Sequence, residues 1–110
     1  MLILPIKKKW FDMILSGEKK EEYRDIKPYY RQRFTNYFMS ENLINEKRGT
    51  LDEWLLTTVR FTKPVMFRNG YSSTSPSFVA ECQLTIGTGK PEWGAEPGKT
   101  YYILKISHIE

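Results

Sequence analysis

Apolar positions along this chain change period several times, and each change marks an element. Leu2, Ile3 and Leu4 form a continuous apolar run, read as a short buried strand ending at Pro5 or shortly after. Trp10, Phe11, Ile14 and Leu15 recur at three- and four-residue spacing, which predicts an amphipathic helix over residues 7–16. Gly17 stands where a helix C-cap belongs. Residues 20–25 then read as a second strand. Pro28 restarts a helix at its favoured first position, with Tyr30, Phe34, Tyr37 and Phe38 as the apolar stripe and Arg31 and Arg33 off it. Residues 41–50 are polar and read as a loop, and residues 51–56 as a short helical turn containing Trp54. From Thr58 the pattern turns to β. Residues 59–62 and 65–68 are strand-like, with Lys63-Pro64 interrupting them. Asn69-Gly70 signals a turn, and residues 72–77 a Ser/Thr/Pro loop. Over residues 78–86 Phe78, Ala80, Cys82, Leu84 and Ile86 face one way, and Val79, Glu81, Gln83 and Thr85 the other. Residues 100–109 form the last strand, apolar on both faces near its middle and therefore central.

Several short strands with two helices make this an α+β chain. Its 110 residues are read as a single domain, 1–110, with room for one modest core. A hydrophobic content of 40% with three tryptophans fits a folded protein. Cys82 is the lone cysteine, which rules out an internal disulfide and fits a reducing cytoplasm. The apolar start, residues 1–6, is too short for a signal peptide and its lysines follow instead of preceding it. No run reaches transmembrane length, so no membrane partner is expected.

Charge adds an asymmetry. The net charge is +4, with a pI near 9.2. Residues 1–40 hold nine Lys or Arg against five acids, a surplus equal to the net charge of the whole chain. A basic half suits either a polyanionic partner, through release of counterions, or a solvated lysine face.

The densest chemistry lies in Gly17-Glu18-Lys19-Lys20-Glu21-Glu22-Tyr23-Arg24. In a strand, Lys20, Glu22 and Arg24 share one face and Glu21, Tyr23 and Asp25 the other. A face carrying Glu22 and Arg24 makes a poor core, because buried charge is costly unless paired, and suits the floor of a polar cleft. Gly17 permits a sharp turn that would bring Lys19 to the mouth of that cleft. Arg24 offers a planar fork for phosphate or carboxylate. Glu22 either accepts from a base edge or ribose hydroxyl, or holds Arg24 in place. Lys19 is either a phosphate contact or, with its pKa lowered by a cationic neighbour, a general base. The plainer alternative is a surface strand laced by ion pairs.

Gly17, Lys19, Glu22 and Arg24 match the Gly-x-Lys-x-x-Glu-x-Arg signature of the ASCH domain, a relative of the PUA RNA-binding fold. Leu4-Pro5-Ile6 and the basic helix upstream, Ile26-Lys27-Pro28-Tyr29 downstream, and Trp93-Gly94, Pro97-Gly98-Lys99 and Tyr101-Tyr102-Ile103-Leu104 near the far end resemble bacterial and phage members too. The resemblance implies a small PUA-like mixed β-barrel with two flanking helices; barrel closure is expected on this ground alone. It also implies an RNA, other nucleic-acid or nucleotide partner, and no cofactor. Some ASCH proteins remove the acetyl group from N4-acetylcytidine with the signature lysine, a threonine and a glutamate. Here Lys19 matches the lysine, and Glu22 stands where the threonine belongs. Others are associated with ribonuclease activity, in which Lys19 and Glu22 would form an acid–base pair. Some eukaryotic relatives are protein-interaction modules in transcriptional coactivators. The leading expectation is nucleic-acid binding through Gly17, Lys19, Glu22 and Arg24, with Lys8 and Arg31 on phosphates and Trp93 stacking on a base.

Other chemistries fit less well. The glycine-rich stretch 87–94 is not a phosphate loop: Lys90 precedes Pro91 instead of Ser or Thr, and position 84 is Leu84 instead of glycine. Glu92 stands where a dinucleotide fingerprint needs its third glycine. The stretch reads as a flexible loop, with Trp93 either stacking on a base or plugging a barrel end. Tyr71 and the four serines of residues 68–77 are candidates for lining a cleft. One Cys and one His do not make a zinc site, so no metal is expected. Cys82, on an apolar strand face, reads as an inert buried thiol. His108, on the same face as Tyr102, Leu104 and Ile106, reads as structural.

Overall fold

The computed structural model describes residues 1–39, 50–57 and 61–110. The loop expected over 41–50 lies outside these up to residue 49, as do the first two residues of the strand expected from Val59. Five strands, β1 (Leu2–Ile6), β2 (Glu21–Asp25), β3 (Phe61–Asn69), β4 (Ser77–Thr88) and β5 (Thr100–Ile109), form one mixed sheet in the order β1-β3-β4-β5-β2. Only β1 and β3 are parallel. The sheet curls into a half-barrel, with helices α1 (Lys8–Leu15), α2 (Pro28–Phe38) and α3 (Leu51–Leu55) packed on it. Three helices therefore stand where two were expected. The third is the turn around Trp54, started by the Thr50 hydroxyl accepting from the Glu53 N–H. Among the described residues no helix is long and apolar enough to cross a membrane.

The main core fills the concave side. Leu4, Phe34, Val65, Phe67, Ala80, Cys82, Leu84, Tyr102 and Leu104 are sealed from solvent there. Burying each large apolar side chain among them contributes about 1.5–3 kcal/mol. Phe11 and Ile14 of α1 enter this core and Trp10 packs at its edge, while Leu15, expected on the same stripe, is exposed. Phe34 and Phe38 anchor α2. A smaller cluster of Ala95, Tyr101 and Ile103, with Tyr23 against it, occupies the other side of β5. Residues 89–99 cover that side. Hence β5 is interior and apolar on both faces, as its sequence indicates.

Two departures from the periodic reading have local causes. Pro64 does not interrupt β3. Pairing with β1 begins one residue later, at Val65, so no neighbour on that side needs its missing N–H, and its carbonyl accepts from the Tyr37 hydroxyl. The second is a bulge between β4 and β5. Glu81 pairs with His108 and Cys82 with Ile106, leaving Ser107 as the extra residue. The phase of β5 flips there, so Ile109 packs on the core and His108 is exposed instead of sharing the face of Leu104.

The edge strands are β1 and β2. The free edge of β1 is blunted: Pro5 has no N–H, and the Ile3 and Pro5 carbonyls accept from Arg33 and Arg24 at 3.0 and 2.9 Å. Since Arg24 belongs to β2, its side chain spans the seam between the two edges. That seam is where the half-barrel opens.

Candidate functional site

The site is built from the turn that leaves α1. Gly17 adopts φ +85°, a left-handed conformation that L side chains rarely take, and its N–H bonds the Ile14 carbonyl. The Lys19 N–H returns to the Met13 carbonyl at 2.9 Å. This folds Lys19 under the sheet, where the residue is 1% exposed, and not at the cleft mouth as its position after glycine suggested. Its Nζ donates to the Trp93 carbonyl at 2.6 Å and lies 3.3 Å from Glu22 Oε1, with the rings of Trp10 and Tyr23 each 4.9 Å away. Burial lowers the Lys19 pKa below its ordinary value, and Glu22 only partly offsets this.

Alternation along β2 turns Glu22 and Arg24 inward, as expected. Glu22 Oε2 accepts from Arg24 Nη2 at 2.8 Å, so each of its oxygens faces a cation. Arg24 Nη2 also bonds the Pro5 carbonyl, and Nη1 bonds the Tyr30 hydroxyl at 3.3 Å. Burial opposes the Arg24 charge, but Glu22 and Tyr30 outweigh it and its pKa stands above the ordinary value. Arg24 thus spends much of its fork within the protein, tying β2 to β1 and to α2. Glu22 is the hub of a Lys19–Glu22–Arg24 triad. Such buried charge is tolerated because each member is paired.

A cleft of about 560 Å³ opens above this triad at the seam. Its floor includes Glu22 and Arg24, its sides Pro5, Ile6 and Asp25, and its rim Lys7, Lys27 and Tyr71. Trp10 and Tyr30 add aromatic surface, and Tyr71, 90% exposed, stands at the lip on the β3–β4 connection. The mixture of aromatic walls, rim lysines and a hydrogen-bonding floor is suited to a planar ligand carrying negative charge.

The expected site residues separate into three groups. Glu22 and Arg24 line the cleft. Gly17 and Lys19 support it from outside: the glycine sets the turn, and the lysine holds Glu22 and the 89–99 loop. Lys8, Arg31 and Trp93 do not line it. Lys8 pairs with Asp12 on the exposed side of α1. Arg31 makes a two-point contact with Asp52 of α3, whose Oδ1 also accepts from the buried Tyr102 hydroxyl. Trp93 offers its carbonyl to Lys19 while Lys90 lies over its ring at 4.5 Å. The loop around Trp93 is also pinned elsewhere: a Cβ on Gly89 would stand 2.6 Å from the Tyr23 ring, and one on Gly94 3.0 Å from Trp10. Sequence reasoning missed Lys7, Trp10, Lys27 and Tyr30 as cleft residues. A signal was present, since Lys7 and Lys27 each immediately precede a helix start, where Ser, Thr, Asp or Asn is favoured.

Among the described residues no three His, Cys, Asp or Glu side chains stand together in a group able to hold a metal ion. Set against known proteins, the chain matches no family model, no curated protein and no solved structure.

Proposed function

We propose that this chain is an ASCH-type nucleic-acid-binding domain, built on a PUA-like barrel, that takes one nucleotide of RNA into the seam cleft. The observation that carries the reading is the cleft itself. It places aromatic surface from Trp10, Tyr30 and Tyr71 beside an arginine–glutamate floor and two rim lysines. Base stacking on aromatic rings with nearby cations is the usual physics of single-strand binding. The signature resemblance supports it, because Glu22 and Arg24 are cleft residues and Gly17 and Lys19 hold them in place. A nucleic-acid partner and the free thiol of Cys82 fit the cytoplasm. The hydrolytic readings ask Lys19 to reach substrate. Its amine is instead committed to Trp93 and Glu22, so we assign Lys19 a positioning role.

The test is a fluorescence-anisotropy titration with short single-stranded RNA, duplex RNA and DNA at two salt concentrations. Tyr71→Ala is the comparison, since so exposed a side chain can be removed without harming the fold. Loss of one stacked base is expected to weaken single-strand binding by about 1–3 kcal/mol. Equal binding by both proteins, or no binding by either, would overturn the reading.

A further inference from the structure

Lys7 and Lys27 occupy equivalent places. Each is the N-cap residue of a helix, extended in conformation, and neither makes a side-chain capping bond. Neither helix has an acidic residue in its first turn. The first backbone bonds, Phe11 N–H to the Lys7 carbonyl and Arg31 N–H to the Lys27 carbonyl, leave the preceding N–H groups without helical partners. The residue three positions into each motif, Trp10 in α1 and Tyr30 in α2, lines the cleft along with its N-cap lysine. Two uncapped helix starts therefore meet at one cavity, each carrying partial positive charge.

The charge balance of the cavity points the same way. Both of its carboxylates are already matched, Glu22 by Lys19 and Arg24 and Asp25 by Lys99 at 3.0 Å. Lys7 and Lys27 have no ion-pair partner among the described residues, and Lys27 lies 5.4 Å from the Tyr30 ring centroid. Arg24, with its side chain only 12% exposed at the cleft floor, has an Nε with no hydrogen-bond partner among the described residues. A cavity that combines unmatched lysines, an incompletely satisfied buried guanidinium and two helix N-termini lacks an anion.

We propose that a phosphate group is seated between the first turns of α1 and α2, so that the cleft's ligand is held through its phosphate and not as an uncharged nucleoside. This rests on the nucleotide reading of the cleft and names which part of the nucleotide lies where. The absence of an N-cap side chain is then functional: Ser, Thr or Asp at position 7 or 27 would occupy the N–H groups the phosphate needs.

The experiment titrates isotope-labelled protein with inorganic phosphate, uridine 5′-monophosphate, uridine, and short oligouridylates with and without a 5′-phosphate, following amide shifts and affinity. Lys27→Asp supplies an internal carboxylate cap, which favours the helix and competes with the ligand; Lys7→Gln with Lys27→Gln removes only the lysine charges. Inorganic phosphate is expected to move the amides of Lys9, Trp10 and Tyr30. The monophosphate should bind at least about tenfold tighter than uridine, the scale of a charge-assisted hydrogen bond, and Lys27→Asp should erase that advantage while leaving uridine unchanged. A gain from the 5′-phosphate on the oligomer would assign the seat to a terminal phosphate; equal binding of both oligomers, each above uridine, would assign it to the backbone. Equal binding of monophosphate and uridine, or shifts confined to other residues, would overturn the phosphate seat and leave the nucleic-acid reading standing. Phosphate-induced shifts at the two helix starts, with no binding of uridine or oligomers, would uphold the seat and remove the nucleic-acid reading.

Discussion

Replacing Lys19 by methionine separates a positioning role from direct ligand contact. Methionine keeps most of the apolar stem between Trp10 and Tyr23 but removes the ammonium. The protein then loses the charge-assisted bond to the Trp93 carbonyl at 2.6 Å and one of the two cations on Glu22. A hydrogen bond to a charged group contributes about 1.5–3 kcal/mol, and leaving its buried partner unsatisfied adds to the loss. Relief from burying an ammonium that is 1% exposed works in the opposite direction, since such desolvation can cancel much of a buried pair's attraction. The net expectation is a destabilisation of about 2–3 kcal/mol, or roughly 10–15 °C in Tm for a domain of this size. Urea unfolding followed by tryptophan fluorescence should show a lower midpoint with an unchanged slope. The pH dependence gives an independent check. Burial holds the folded-state pKa of Lys19 below its ordinary 10.5, so the native protein releases this proton before the unfolded chain does. The unfolded state then binds more protons in that interval, and wild-type stability gains a rising contribution as pH climbs towards 10.5 that the methionine variant lacks. The reasoning fails if Lys19→Met costs less than about 0.5 kcal/mol and yet abolishes RNA binding, because the amine would then be contacting ligand and not holding the loop.

Other substitutions probe the neighbouring contacts. Gly89→Ala forces a methyl to within 2.6 Å of the Tyr23 ring and 2.8 Å of the Ala95 Cβ, so it should cost about 1–3 kcal/mol in chemical denaturation. Tyr102→Phe removes the hydroxyl that donates to Asp52 and should cost about 0.5–1.5 kcal/mol. Arg31→Ala, at a partly solvent-screened pair, should cost under about 1 kcal/mol and leave RNA affinity in the anisotropy titration unchanged, because Asp52 already occupies the guanidinium. The Cys82 thiol is sealed from solvent and its pKa is pushed up to about 12 by burial; a thiol reagent at pH 8 should leave the native protein unlabelled and label it fully in urea.

Much of the framework was legible in local patterns. The stripe through Phe11 and Ile14, the proline opening α2, the left-handed glycine after α1, the alternation of β4 and the two-sided apolarity of β5 each follow from side-chain periods that a segment carries within itself. The inward face of Glu22 and Arg24 was readable for the same reason. Patterns that depend on what lies alongside were not. Pro64 stays within a strand because β1 pairs only from Val65 onward. Ser107 reverses the phase of β5 because β4 omits its counterpart, exposing His108. The site depended most heavily on distant partners. Trp93, 74 residues away in sequence, captures Lys19, and Asp52, 21 residues away, captures Arg31. These pairings turned two expected ligand contacts into internal supports. Lys7 and Lys27 became cleft residues only once the curled sheet brought two helix starts to one seam. Periodicity is a property of consecutive residues and survives in the sequence alone. The partner of a buried charge is set by chain closure across the whole fold, which brings together groups whose separation along the chain carries no sign of their contact.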